Sequence, residues 1–457
     1  MDKRRVREAD DKEDSDAPTN RHAGTAGRSA AQETDIKHES NMLKRFFKML
    51  GPGLITGAAD DDPSGIGTYS TAGASLGFTT LWTAIITLPL MAVVQYICGK
   101  IGMVSGRGLA GVLRHYYSRK LLYPAVLCLF IANTINAGTD IGAIAAAINI
   151  FLPVPIFAMV IPIALMILAL QVLGSYRLIT TIFKWLTLTL FTYIAAAFLA
   201  KPHWGEVLRA TFIPPLRFDN QYLTTLVAIL GTTISPYLFF WQASEEVEEE
   251  VNMGRTRLAE RKGVTNTELR YERLDTITGM LFSNVVFYFV ILSAAATLHA
   301  SGKTDVQSAT DAAQALRPFA GNAATILFAL GLIGSGFLAV PVLTGSAAYA
   351  IAETFGWKYG LDEKPKQAKQ FYAIIAISTL LGMLINFMGI NPISALFWTA
   401  VINGVLAPPL LVVIMLVSNN KRVMGKRVNS RFTNVIGWVA AVVMFAATIG
   451  MVLTWGR

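Results

Sequence analysis

The chain has 457 residues, of which 53% are apolar and only 15% charged, and its mean hydropathy is +0.48. Soluble domains usually carry about 25% charged residues, so the composition excludes an ordinary soluble fold and indicates an integral membrane protein. The net charge of +9 is spread over many loops and forms no basic patch interleaved with aromatics, which argues against a nucleic-acid partner.

Residues 1–42 are polar, mixed in charge and almost free of aliphatic side chains. Such a segment cannot bury enough apolar area to offset chain entropy, so a disordered cytosolic tail is expected. It has neither the apolar core nor the cleavage site of a signal peptide. From residue 43 onward the chain is expected to be one transmembrane domain. Apolar segments follow near 50–77, 79–99, 121–150, 156–174, 179–200, 222–244, 274–299, 321–352, 371–389, 393–417 and 433–455. Runs of about 20 residues suit helices rather than the ~10-residue alternating segments of a membrane barrel. The fold class is therefore an all-α polytopic membrane protein with 11 transmembrane helices.

Positive charge orients it. Residues 1–49, the loops after the even spans and Lys184 near the start of the fifth span hold 33 of the 39 Lys and Arg residues, and the remaining segments hold 6. The positive-inside rule then places the N-terminus in the cytoplasm and Arg457 outside, with the chain in the cell membrane. Cys98 and Cys128 both fall in apolar runs without ligand-spaced partners, and buried thiols are expected.

The first span contains "GAADDDPSGIG", Gly57 to Gly67. An ionisable residue in a span costs at least ~2.5–3.5 kcal/mol on insertion scales, so three aspartates in a row need water or a cation. Asp60 and Asp61 are balanced between a solvated helix end and an ion site. Asp62 is favoured as a ligand, because Pro63 pushes the residue before it out of the helical region. The sixth span has its own break at "GTTISPYLFFWQ", with Pro236 near mid-membrane. Two proline-interrupted spans in corresponding places point to a midplane substrate site between two inverted repeats of five helices, about 45–200 and 222–417, with 433–455 as an extra helix. Oxygen ligands on unwound backbone suit a hard divalent cation.

"GPGLITGAADDDPSGIGTYSTAGASLGFTTLW", with "GKIGMVSGRGLAGVLR", "AGTDIGAIAAAI" and "GLIGSGFLAVPVLTGSAAYAIAE", resembles the Nramp divalent-metal transporters over about residues 45–455. The family's D-P-G-N motif stands here as Asp62-Pro63-Ser64-Gly65. The resemblance implies a LeuT-type fold of two inverted five-helix repeats, in agreement with the topology read from charge and breaks.

The departures from the family bear on function. The motif's asparagine ligand is Gly65, and the family's M-P-H triplet in span 6 is Ser235-Pro236-Tyr237. Thioether sulfur favours softer ions, so its loss removes that discrimination, and two small residues widen the site. A roomy site with one carboxylate and small oxygen donors suits a largely hydrated Mg²⁺, which gives up its water reluctantly. The family's span-3 glutamate is Ala143, its span-6 histidine is Tyr237, and Phe371 to Met388 contains no charged residue where the family has arginines. Little remains to relay a proton. Asp140 is kept, as a remnant, a packing partner or part of an ion vestibule.

The combination resembles the Nramp-related magnesium transporters, which implies uncoupled Mg²⁺ uptake that also passes Mn²⁺. The expected ion-site residues are Asp62, Gly65, Ser235, Thr232 through its carbonyl, and Asn403 in span 10, with Asp61 as a further candidate. The acidic run Glu245 to Glu250 is either an exit funnel or a solvated helix end balanced by Arg255, Arg257, Arg261 and Lys262, the latter favoured for Glu248 to Glu250. Lys184 and Glu353 are expected at the interface. No phosphate-cradling loop, H-E-x-x-H or activated nucleophile is present, and His203 and His299 have no activating sequence neighbours, so no enzyme and no cofactor are expected. The expected partners are the transported ion and the bilayer, with the chain as a monomer. The alternatives are a proton-coupled Mn²⁺/Fe²⁺ carrier, an organic-solute carrier of the same fold, and a sensor that has lost transport. For the organic-solute carrier, an aspartate at the break would repel a substrate carboxylate.

Overall fold

A computed structural model describes residues 52–173, 191–317, 321–361 and 363–455. The N-terminal tail, Lys184 and Arg457 lie outside the described residues. Every regular element is helical. Among the described residues, eight helices are long and apolar enough to cross a membrane, with the interrupted Asn220–Asn252 counted as one. Of the three other expected spans, the first is broken into two short helices, the ninth is a 17-residue helix, and the fifth is described only at its end.

The first span consists of α1 (Pro52–Asp60) and α2 (Pro63–Leu76). Next come α3 (Thr83–Ser105), the short α4 (Leu109–Tyr116), α5 (Arg119–Asn149) and α6 (Ile156–Leu173). The end of the fifth span is α7 (Thr192–Leu199), followed by α8 (Trp204–Phe212). The sixth span is again two pieces, α9 (Asn220–Thr233) and α10 (Pro236–Asn252). The rest are α11 (Asn266–Thr297), α12 (Ala324–Phe355), α13 (Lys369–Ile385), α14 (Pro392–Ser418) and α15 (Arg431–Thr454).

Both breaks have the same local cause. Pro63 and Pro236 occupy the first position of the second half-helix, where a missing N–H costs nothing and the fixed φ is already helical. The preceding residues, Asp62 (ψ 167°) and Ser235 (ψ 133°), are extended, as the residue before proline prefers. Each interruption is thus two residues long, Asp61–Asp62 and Ile234–Ser235.

Small residues bring the broken helices against their neighbours. A Cβ on Gly57 would lie 2.2 Å from the Gly279 carbonyl oxygen, so α1 runs backbone to backbone along α11. A Cβ on Gly231 would lie 2.1 Å from the Ala400 carbonyl oxygen, so α9 does the same along α14. Close approach through glycine is a common basis for helix association in lipid, where the apolar effect between helices is weak. Around this centre α5 packs on α12 and α13. Large apolar side chains such as Leu127, Phe157, Leu165, Val435 and Val442 point outward, forming the surface a bilayer would cover.

Two expectations change here. Glu353 is not interfacial; it is buried, and its Oε2 accepts the Gly111 amide at 2.8 Å at the start of α4. Asp60 and Asp61 are not at a solvated helix end, since both are fully buried against α11. Cys98 is buried and Cys128 half-buried, both as free thiols.

Candidate ion site at two broken helices

Asp62 is the cap of α2. Its Oδ1 accepts the Gly65 amide and the Ser64 hydroxyl, each at 2.7 Å. A carboxylate at a helix N-terminus meets the positive end of the backbone dipoles, so the local sequence holds this anion even though it is buried. Oδ2 turns the other way and accepts Asn136 Nδ2 from α5 at 2.8 Å. The same amide reaches Asp140 Oδ2 at 3.2 Å, and Asn136 Oδ1 accepts Asn403 Nδ2 from α14 at 3.3 Å. All four side chains are buried.

The second break faces the first. A Cβ on Gly65 would come within 3.2 Å of Thr232 Oγ1, so a glycine is what lets α2 approach α9 this closely. Ser235 Oγ donates to the Thr232 carbonyl at 2.6 Å and lies 3.0 Å from that of Gly231. The two expected ligands of the sixth span are therefore bonded to each other. Tyr237 at the start of α10 donates its hydroxyl to the Ala59 carbonyl at 2.9 Å, tying the end of α1 to the other half-helix. Ser346 of α12 in turn donates to the Tyr237 carbonyl at 2.7 Å.

Asp61 departs from this group. With Asp60 it turns to α11, where the Ser283 hydroxyl lies 2.6 Å from Asp60 Oδ2 and 3.2 Å from Asp61 Oδ1. One hydroxyl hydrogen cannot serve both fully. Asp60 Oδ1, Asp61 Oδ2 and Asp140 Oδ1 are buried with no hydrogen-bond partner. Such oxygens are costly unless a cation, a proton or water meets them.

Asp62, Gly65, Thr232, Ser235 and Asn403 thus gather where the two breaks meet α5 and α14, and Asp61 lies on the opposite side of the first break. Asn136 was missed by sequence reasoning. Its signal was a polar residue in an apolar run, four positions before Asp140 and hence on the same helix face. Among the described residues, no three His, Cys, Asp or Glu side chains form a ready-made cage for a metal. One anchoring carboxylate with neutral oxygen donors is a donor set of the kind that hard divalent cations take.

The acidic run after Ser244 divides. Glu246 is buried and accepts Gln242 Nε2 at 2.9 Å, Glu248 accepts the Tyr349 hydroxyl at 2.7 Å, and Glu250 pairs with Arg255 at 3.2 Å. Glu250 has an expected partner in Arg255 but is buried rather than at a solvated helix end, and Glu248 also accepts the Leu361 amide at 3.0 Å. His203 and His299, far apart in sequence, line one cavity of about 620 Å³ beside Leu76 to Thr79.

Residues 53–454 match the family described as natural resistance-associated macrophage protein-like, Nramp. A divalent metal cation transporter MntH of Deinococcus radiodurans is 27% identical over 412 residues, covering 88% of this chain and 89% of the relative. Its namesake in Bacillus subtilis is 24% identical over 433 residues, covering 93% and 96%. A solved structure of the Eremococcus coleocola manganese transporter superposes with a TM-score of 0.71 at 17% identity, covering 91% of this chain and 88% of that one. The nucleobase-cation-symport transporter Mhp1 superposes with a TM-score of 0.53 at 13% identity, covering 89% and 94%. The fold is the LeuT type in an all-helical membrane protein, and the chain belongs to the Nramp family.

Proposed function

We propose that this protein carries Mg²⁺ into the cell, and Mn²⁺ less selectively, by alternating access without proton coupling. The observation that carries the reading is the composition of the site. Asp62 is a buried carboxylate at the first break, Gly65 stands one turn on against Thr232, and Ser235 with the Thr232 carbonyl stands at the second break. Hard oxygen donors suit Mg²⁺, and a soft sulfur ligand is missing. Divalent-metal transport itself is supported by the family and by the curated relatives, which are named divalent metal cation transporters.

The absence of coupling is supported by what surrounds Asp62. Its cross-helix partner is an asparagine, Ala143 stands one turn beyond Asp140, and α13 carries no charged residue after Lys369. A proton relay needs titratable groups in sequence, and past Asp140 these positions supply none. In this reading the ion meets Asp62 and Ser235 with the Thr232 carbonyl, Gly65 lets the two breaks approach each other, and Asn403 approaches from α14. The two repeats, about 45–200 and 222–417, rock about the site, with the N-terminus cytoplasmic, the C-terminus outside, and the chain acting as a monomer. The alternative is a proton-coupled Mn²⁺/Fe²⁺ carrier with an atypical site; for its metal, though not for its coupling, the Eremococcus coleocola structure is named a manganese transporter.

The test is uptake into proteoliposomes loaded with a Mg²⁺ dye and, in parallel, a pH dye. Saturable Mg²⁺ entry, lost in Asp62→Ala and without internal acidification, is the expected result. Mn²⁺ entry with acidification, and no Mg²⁺ entry, would overturn the reading in favour of the coupled carrier.

A further inference from the structure

We infer that Asn136 is the positioning residue that aims the Asp62 carboxylate at the ion, an inference that rests on the reading of Asp62 as the ion's anchor. Asp62 Oδ1 is committed to its own helix turn through Ser64 and Gly65. Oδ2 is therefore the oxygen left to meet an ion, and its direction is set by Asn136 of α5 at 2.8 Å. Without that bond only the contacts to Oδ1 restrain the carboxylate's last torsion, which is broad for aspartate.

Asn136 is itself fully determined. It is fully buried, its amide nitrogen faces two carboxylates, and its oxygen accepts from Asn403. An amide has two donors on nitrogen and an acceptor on oxygen, so both ends are used and the orientation cannot be reversed without facing oxygen to carboxylate. The link joins the cap of α2, the middle of α5 and the middle of α14.

Other asparagines in this protein show what a packing role looks like. Asn133, one turn earlier on α5, donates to the Leu343 carbonyl at 3.0 Å, and Asn386 donates to the Gly138 carbonyl at 2.8 Å. Those bonds join helix to backbone. Asn136 instead bonds the carboxylate at the break, and beside it Asp140 Oδ1 is buried with no partner. A hydrogen bond to a carboxylate that must also bind the ion bears on affinity as well as on stability.

The experiment is Mg²⁺ uptake into proteoliposomes over a concentration series for Asn136→Leu, with Asn133→Leu as the packing control and Asp62→Ala as the dead site. Asn136→Leu is expected to raise KM about tenfold with kcat within about twofold, the pattern of lost binding rather than lost turnover. Asn133→Leu is expected to lower the melting temperature and leave KM unchanged. If Asn136→Leu does not fold, Asn136→Ser serves, since one hydroxyl cannot span two carboxylates, and the same rise in KM is expected. An unchanged KM, or a fall in kcat alone, in a folded variant overturns the inference. Should the wild type move Mn²⁺ in place of Mg²⁺, the substrate reading fails, and the KM shift measured with Mn²⁺ decides the role of Asn136 on its own.

Discussion

The bond from the Tyr237 hydroxyl to the Ala59 carbonyl, 2.9 Å and buried, joins the end of α1 to the start of α10. In the alternating access proposed for this protein one repeat rocks against the other around the site, and the bond joins a half-helix of one repeat to a half-helix of the other, so it must break where α1 moves away from α10. Side-chain hydrogen bonds between membrane helices are worth about 0.6 kcal/mol on average and roughly 1.7 at most. Removing the hydroxyl in Tyr237→Phe should therefore shift the open-to-closed ratio of α1 by roughly threefold to twentyfold toward open. The ring packing stays, so the fold should survive with a small drop in melting temperature. The assay is the labelling rate of a cysteine placed at Ala58, with Cys98 and Cys128 replaced, read beside Mg²⁺ flux. Faster labelling by the stated factor, with altered flux, is expected. Unchanged labelling with only a lowered melting temperature would refute the latch and leave the bond a static tie.

Three further outcomes follow from the packing and the site. Gly57→Val places methyls where Gly279 backbone already lies 2.2 Å from a Cβ, and overpacking of this kind costs at least about 1–3 kcal/mol; loss of monodisperse protein in detergent, or a steep fall in melting temperature, checks it. Ser235→Met restores a thioether at the sixth-span break, and Cd²⁺ uptake should rise severalfold relative to Mg²⁺ because sulfur prefers softer ions; an unchanged ratio in competition assays counts against Ser235 as an ion neighbour. Glu353→Ala removes the acceptor for the Gly111 amide at the start of α4, a loss of about 1–2 kcal/mol; thermal unfolding should detect it, while the KM for Mg²⁺ should not change.

Much of the architecture could be read along the chain because lipid imposes simple rules. Apolar length, the bias of Lys and Arg between loops, and two prolines at the breaks are local or additive features. They determined a helical membrane protein with two interrupted helices, and they singled out Asp62 through its neighbour Pro63. Side-chain direction at the breaks is a different matter. Asp60, Asp61 and Asp62 are consecutive, yet the first two turn to Ser283 on α11 while the third turns to Asn136 on α5. An extended pair of residues sends adjacent side chains to opposite sides, and what waits on each side comes from helices more than 70 and 220 residues away. Glu353 looked interfacial because it ends an apolar run, and only the approach of α4 gives its carboxylate an amide to accept. Asn136 looked like any polar residue in a long helix until three helices met at its amide. Composition and periodicity determined which segments are long and apolar enough to cross the membrane; contacts distant in sequence decided which oxygens gather where the two breaks meet and which hold helix to helix elsewhere.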